Sequence, residues 1–168
     1  MTIVLRAATL ADIPRMHQIE DDAGELFAGL GLIDIEDMAL VSIGDHGHAI
    51  DAGLSLIAEV DGRAAGFAIG ARHGEDVYLH ELDVDRAYQK QGVGAALVTA
   101  FVDLARRQGA GAVYLSTFRD PPWNAPFYRK LGFRDVARGD YLPWMIAIET
   151  EQAKFLDIAT RVFMRVEV

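Results

Sequence analysis

The 168-residue sequence contains no cysteine. That absence excludes a disulfide framework, a thiol nucleophile and a cysteine metal site. Long hydrophobic runs are also missing. The longest apolar stretch, Gly92 to Val102, is broken by Asp103 and is too short to cross a bilayer. No basic segment leads into an apolar core at the N-terminus, so no secretory signal is expected and a cytoplasmic location is. Positive charge is scarce. Lys and Arg total 16 against 25 Asp and Glu, a net charge of −9. As an average, this argues against nucleic-acid partners and against attachment to an anionic membrane. Repeats, low-complexity tracts and linkers are lacking too, so residues 1–168 read as a single domain.

What is present is ordinary for a globular chain: 51% hydrophobic and 24% charged residues. The charge is not evenly spread. Residues 1–85 carry a net −13, residues 86–138 a net +6, and residues 139–168 a net −2. A basic block inside an acidic chain points to a local anion site.

Hydrophobic periodicity outlines the elements. Ile3 to Ala7 reads as a strand. Thr9 to Asp12 resembles a capping box opening a helix to about Asp22, with Asp12 as the alternative cap because Pro14 fits only a first turn. Residues 23–50 hold five glycines and give weak signals. They suggest a short helix from Ile35 to Ile43 and a loop over Gly44 to His48. Asp61-Gly62 between apolar runs predicts a β-hairpin of residues 55–60 and 63–71. Val77 to Val84 and Ala112 to Thr117 read as strands. Between them Val93, Ala96, Leu97, Ala100, Phe101 and Leu104 follow helical spacing, and Gly109 ends that helix. The strand–helix–strand unit makes its two strands parallel within a mixed sheet. A short helix carries Phe127 and Leu131 and stops at Gly132. Pro143 opens a further helix, and Thr160 to Val168 reads as the last strand.

The sharpest feature is the segment Val84 to Gly94, between a strand and the long amphipathic helix. A helix N-terminus presents unsatisfied N–H groups and a positive dipole end to an anion. Gly92 and Gly94 permit close approach to that backbone. Lys90 and Arg86 add mobile positive charge. A dinucleotide loop would need a third glycine where Leu97 stands, and a nucleotide P-loop would need Lys-Ser/Thr after the glycine. Neither pattern is met, which leaves a nucleotide-dependent oxidoreductase remote.

Gln89-x-x-Gly92-x-Gly94 after Leu82-Asp83-Val84 resembles the acetyl-CoA signature of the GCN5-related N-acetyltransferases (GNAT). Trp123-Asn124-Ala-Pro-Phe127-Tyr128-Arg-Lys-Leu131-Gly132-Phe133 is similar to the family's second landmark. The resemblance is specific over residues 77–133 and architectural elsewhere. It implies a mixed α/β fold: a mostly antiparallel central sheet with one splayed parallel pair, flanked by helices. It implies acetyl-CoA as cosubstrate, held by backbone of Leu82 and Val84 and by the loop Gln89, Lys90, Gln91, Gly92, Val93 and Gly94. It implies Tyr128 as the acid that protonates the departing thiolate. Asparagine often lies seven residues before that tyrosine in relatives. Here Pro121 stands there, and Asn124 is a weak substitute that could equally cap the helix.

An amine must lose a proton before it attacks. Strand alternation puts Tyr78, His80, Leu82 and Val84 on one face and Leu79, Glu81 and Asp83 on the other. His80 is the first candidate base, having an ordinary pKa suited to the task. Glu81 is the second, since strand distortion near a splay can re-aim a side chain. Asp45, His46 and His48 are read as loop residues rather than metal ligands, and no metal is expected. Glu20, Asp21, Asp22 and Glu25 read as a solvated helix end, or as an attraction for a cationic acceptor. The expected activity is acetyl transfer to a primary amine by direct attack in a ternary complex. The alternative is a non-catalytic acyl-CoA-binding module on the same fold. The partners expected are acetyl-CoA and a small amine or peptide amine, with a homodimer possible.

Overall fold

A computed structural model describes residues 1–37 and 39–168. Seven strands form one sheet in the order β1-β2-β3-β4-β5-β7-β6. They are β1 (Ile3–Ala7), β2 (Ser55–Val60), β3 (Arg63–His73), β4 (Asp76–Val84), β5 (Ala112–Phe118), β6 (Arg134–Asp135) and β7 (Arg161–Glu167). Five α-helices flank them: α1 (Ile13–Gly24), α2 (Ile43–Asp51), α3 (Val93–Arg107), α4 (Ala125–Lys130) and α5 (Pro143–Gln152). Among the described residues, no helix is long and apolar enough to cross a membrane. All pairings are antiparallel except β4 with β5. This is the mixed, mostly antiparallel sheet expected of the sequence.

Local chemistry explains most boundaries. Asp61 and Gly62 both hold positive φ, +49° and +79°, the turn that matches the twist of a tight hairpin. Gly109 and Gly132 sit at φ +74° and +93° after α3 and α4. At the start of the chain, Thr9 and Asp12 do form a box, with the Thr9 N–H donating to Asp12 Oδ2 at 2.8 Å. It closes a short 3-10 turn, Leu10–Asp12, and α1 follows from Ile13.

The reading of residues 35–48 needs correction. Residues 35–37 make a single 3-10 turn, and the supposed loop Gly44 to His48 lies inside α2. Two glycines at positions 44 and 47 count against a helix. They are outweighed by Ser42, which caps the helix by accepting the Asp45 N–H at 3.0 Å, and by burial of His46 and Ala49.

Three apolar layers fix the sheet. Leu97 and Phe101 of α3 are fully buried on one face against Leu54, Ala68 and Leu79. Burying each such side chain stabilises by roughly 1.5–3 kcal/mol. On the opposite face, Met16 and Ile19 of α1 pack with Phe67 and Ile69 of β3. Farther along that face, Met145 of α5 packs with Tyr78, Tyr114 and Phe163.

Two irregularities coincide on β4. Ile69 pairs with Glu81 and Gly70 pairs with Leu79, so His80 is an extra, unpaired residue. This is a β-bulge. Gly70 makes it possible: a Cβ there would lie 2.5 Å from both the Tyr78 carbonyl oxygen and Phe101. The parallel pairing of β4 with β5 is confined to Val77–Val113 and Tyr78–Tyr114. Beyond it the strands part.

Candidate active site

The bulge overturns the expected alternation of β4. Tyr78 lies opposite Ala71, Glu81 opposite Ile69, and Asp83 opposite Phe67. Because partners across an antiparallel ladder share a face, Glu81 and Asp83 lie on the side of Ile69 and Phe67, covered by α1. Leu82 and Val84 turn instead toward α3 with Leu79. One inserted residue has changed the face of everything after it.

The parted strands open onto a cavity of about 1210 Å³. One end is bordered by Gln89, Lys90, Gly92 and Gly94. Its middle meets His80, Glu81, Leu82, Asp83 and Val84, with Asn124 and Tyr128 across from them. Its far end meets Trp144 and Ile148 of α5, and Arg161. Ten of the twelve expected site residues therefore border one space. Gln91 and Val93 do not: Gln91 is exposed and donates to the Ala87 carbonyl at 3.1 Å, and Val93 is buried in the α3 core.

The loop end is shaped by backbone. Lys90 and Gly92 hold φ of +59° and +86°, which turns the chain tightly into α3. The first-turn N–H groups of α3 have no partner within the helix. Gly94 has Phe127 against it, where a Cβ would meet the ring at 3.4 Å. Gln89 stays inside the loop, donating through Nε2 to the Val84 carbonyl at 3.0 Å. Arg86 is not the mobile charge expected: its N–H and its guanidinium both bond Asp22, at 2.7 and 2.9 Å. Arg15 bonds Asp85 at 2.6 Å, so α1 is tied to the same loop twice.

Asn124 stands at the N-cap of α4, but its side chain does not cap. It donates through Nδ2 to Thr117 Oγ1 at 2.9 Å, and its Oδ1 is buried without a partner. A buried orphan acceptor facing a cavity calls for a donor from a ligand. The free β4 edge beyond Tyr78, this orphan and the glycine turn all fit a cosubstrate that carries amides and phosphates, such as acetyl-CoA.

Electrostatics in the middle are set mainly by burial. Glu81 is pushed up to about 7, first by desolvation and then by the charge of Glu20, while Arg161 opposes the rise. Asp83 is pushed well above the carboxylate range by desolvation and by Glu81. Burial raises the Tyr128 phenol above its ordinary value, with Glu81 and Asp83 adding to the rise. Its ring is 8% exposed and packs edge-on to Phe127 and Phe133. His80, on the bulge, faces the cavity with its pKa lowered by desolvation.

The acidic stretch at the end of α1 divides: Asp21 and Glu25 are exposed to solvent as expected, while Glu20 and Asp22 are engaged within the fold. Asp22 is bound to Arg86. Glu20 is buried and accepts the Val41 N–H on both oxygens, at 2.9 and 3.1 Å. His46 points inward rather than pairing with His48. It is wholly buried, neither ring nitrogen has a partner, and desolvation lowers its pKa to about 4. Glu20 and His46 lie with His17 in one group whose ligand-capable atoms are all within 4.8 Å of one another. That cluster was invisible at sequence level because α2 was not recognised. Arg161 was also missed; the available signal was a lone cation at the head of the apolar run Val162-Phe163-Met164.

The chain belongs to the acetyltransferase (GNAT) family, whose model matches residues 15–133. Acetyl-CoA is the cosubstrate of that family. The chain is 28% identical to the N-alpha-acetyltransferase RimI of Mycobacterium tuberculosis over 138 residues, 80% of each chain. It is 30% identical over 84 residues to the [ribosomal protein bS18]-alanine N-acetyltransferase of Escherichia coli K12, covering 49% of this chain and 57% of that one. A mycothiol acetyltransferase of Clavibacter sepedonicus is 35% identical over 86 residues, 51% of this chain but only 28% of that protein. These last two matches thus span between about a quarter and a little over half of the relatives' lengths. Among solved structures, the PaiA N-acetyltransferase of Thermoplasma acidophilum in complex with coenzyme A superposes with a TM-score of 0.74 at 16% identity, covering 100% of both chains. At that identity the likeness speaks to the fold.

Proposed function

We propose that the chain transfers acetyl from acetyl-CoA to a primary amine by direct attack in a ternary complex, with Glu81 as general base and Tyr128 as general acid. The observation that carries this reading is the shared cavity. Glu81, with its pKa near 7, and Tyr128 border one space whose other end is the glycine turn of Gly92 and Gly94. A base works best when its pKa lies near the working pH.

Acetyl-CoA supplies an acyl group activated as a thioester. Leu82 and Val84 would hold its amide arm through backbone, Asn124 Oδ1 would accept from it, and the turn at Gln89 to Gly94 would hold its phosphates. An alkylammonium holds its proton roughly three units above neutral pH. The Glu81 carboxylate would remove that proton. Tyr128, kept as a phenol by burial, would donate from its hydroxyl as charge builds on the departing sulfur. No cysteine exists for a covalent acyl carrier, which supports direct attack.

His80 is the rival base from the same cavity. The pH profile of kcat/KM for thiol release separates the two. With Glu81 acting, the ascending limb has its midpoint near pH 7 and is lost in Glu81→Gln but kept in His80→Gln. If the limb disappears with His80 instead, the assignment is reversed. Tight coenzyme A binding with no thiol release across a broad amine panel would favour a non-catalytic binding module.

A further inference from the structure

The far end of the cavity contains a cation that, among the described residues, forms no salt bridge. Arg161 opens β7, paired with Phe118 of β5. Its guanidinium lies 4.4 Å above the Phe118 ring, and one terminal nitrogen donates to Ser116 Oγ at 3.3 Å. Ser116 is steadied in turn by Gln152 of α5, at 3.2 Å. The Nε of Arg161 is buried without a partner. Among the described residues no carboxylate lies within salt-bridge distance of it.

The acids that could have served are committed elsewhere. Glu151, on the same cavity wall, is bound by Lys154 at 2.7 Å. Arg161 also borders a smaller cavity of about 340 Å³, where the acids are Asp135 and Glu149. Asp135 is held by Arg129 at 3.0 Å, and Glu149 by Arg138 at 2.6 Å. Glu81 and Asp83 also border the larger cavity, but neither lies within salt-bridge distance of Arg161, and in the proposed reaction Glu81 must take up a proton. A buried guanidinium without a counter-charge is strongly disfavoured unless a ligand supplies one. Guanidinium also matches a carboxylate with two parallel hydrogen bonds.

We propose that Arg161 receives a carboxylate on the acceptor, so that the preferred acceptors are free α-amino acids rather than plain alkylamines. The proposal rests on the acetyl-transfer reading above. A free amino acid is favoured over a longer peptide because Arg161 and Glu81 border the same cavity and lie near enough for each to feel the other's charge, which suits a carboxylate only a few bonds from the reacting amine. Trp144, Phe118, Ile148 and Leu156 line the same end and suit an apolar side chain. The acidic amino-terminal half suggested a site for cations; the cavity itself presents a cation to the acceptor.

The test compares the common L-amino acids with their amides, and with dipeptides of the same first residue, in the thiol-release assay. The expected result is a preference of roughly 10- to 100-fold in kcat/KM for at least one free acid over its amide and dipeptide. In Arg161→Gln that preference falls to within about threefold, and Arg161→Lys restores part of it. Acetyl-CoA titration calorimetry checks that each variant is folded. Equal use of acids and amides by the natural protein overturns the proposal while leaving acetyl transfer intact. If no amine reacts at all, acetyl transfer fails, and binding without turnover decides the role of Arg161. N-acetyl amino acids titrated into the coenzyme A complex should then bind more tightly than their amides, and equal binding overturns the proposal.

Discussion

The two ends of the cavity are built by different means. The glycine-turn end is made of backbone: two positive-φ residues and a helix start, all within a short run of sequence. The other end, from Glu81 to Arg161, is made of side chains from β4, β5, α4, α5 and β7, brought together only by the sheet. A backbone-built site tolerates side-chain change and is sensitive to backbone conformation. A side-chain-built site shows the reverse sensitivities.

The sharpest way to break the comparison is at the side-chain end. Glu81→Gln and Tyr128→Phe should each lower kcat by about 10²- to 10⁴-fold with acetyl-CoA affinity little changed. Glu81→Gln should also stabilise the fold. The buried carboxylate is held above its ordinary value, so the fold bears a growing cost between pH 4.5 and about 7, and a constant one above. Urea titration should show the variant more stable by about 1–3 kcal/mol at pH 8 and no more stable at pH 4. A loss of stability at pH 8 would mean that Glu81 is a structural residue.

Next in size is His46, behind the acceptor end. Its pKa is about 4 when folded and near 6.5 when exposed. The unfolded chain therefore binds a proton that the fold refuses, and stability falls as pH drops from 6.5 toward 4. The expected loss is about 3 kcal/mol, and it should be absent in His46→Leu. An unchanged pH dependence in that variant would place the acid sensitivity elsewhere.

At the backbone end, Gln91→Ala should be mild. Gly92→Ala should cost about 1–2 kcal/mol, because a Cβ at φ +86° is strained even though open space surrounds it. Gly92→Val should in addition weaken acetyl-CoA binding at least tenfold by calorimetry, without moving the pH midpoint of the reaction. The smallest effect belongs to the ties between α1 and the loop. Asp22→Asn should cost below about 1 kcal/mol and less at high salt, since the Asp22–Arg86 pair is partly exposed.

The same division decides what the sequence reveals. Asp61-Gly62, Gly92-x-Gly94, Gly109 and Gly132 are local backbone instructions, and each is legible where it stands. The apolar spacing of Val93 to Leu104 gave α3 for the same reason. Residues 43–51 were misread because Gly44 and Gly47 lower intrinsic helix propensity, while the burial that overrides them is tertiary. With α2 misplaced, the grouping of His46 with Glu20 and His17 could not be seen. Arg161 gave almost no signal, since one arginine before an apolar strand looks like any surface residue. The ranking of His80 over Glu81 depended on strict alternation, which β4 does not keep.

The extra residue at His80 gives β4 a phase. Before it, odd-numbered residues turn toward α3; after it, even-numbered residues do. Drawing His80 into regular pairing, with no residue removed, would straighten the strand and exchange the two sides beyond it. Glu81 and Asp83 would then enter the layer of Leu97 and Phe101, and Leu82 and Val84 would face α1. Residue-by-residue alignment with relatives has to preserve this phase. A single gap placed on the wrong side of His80 aligns acids with core aliphatics while the surrounding motifs still match.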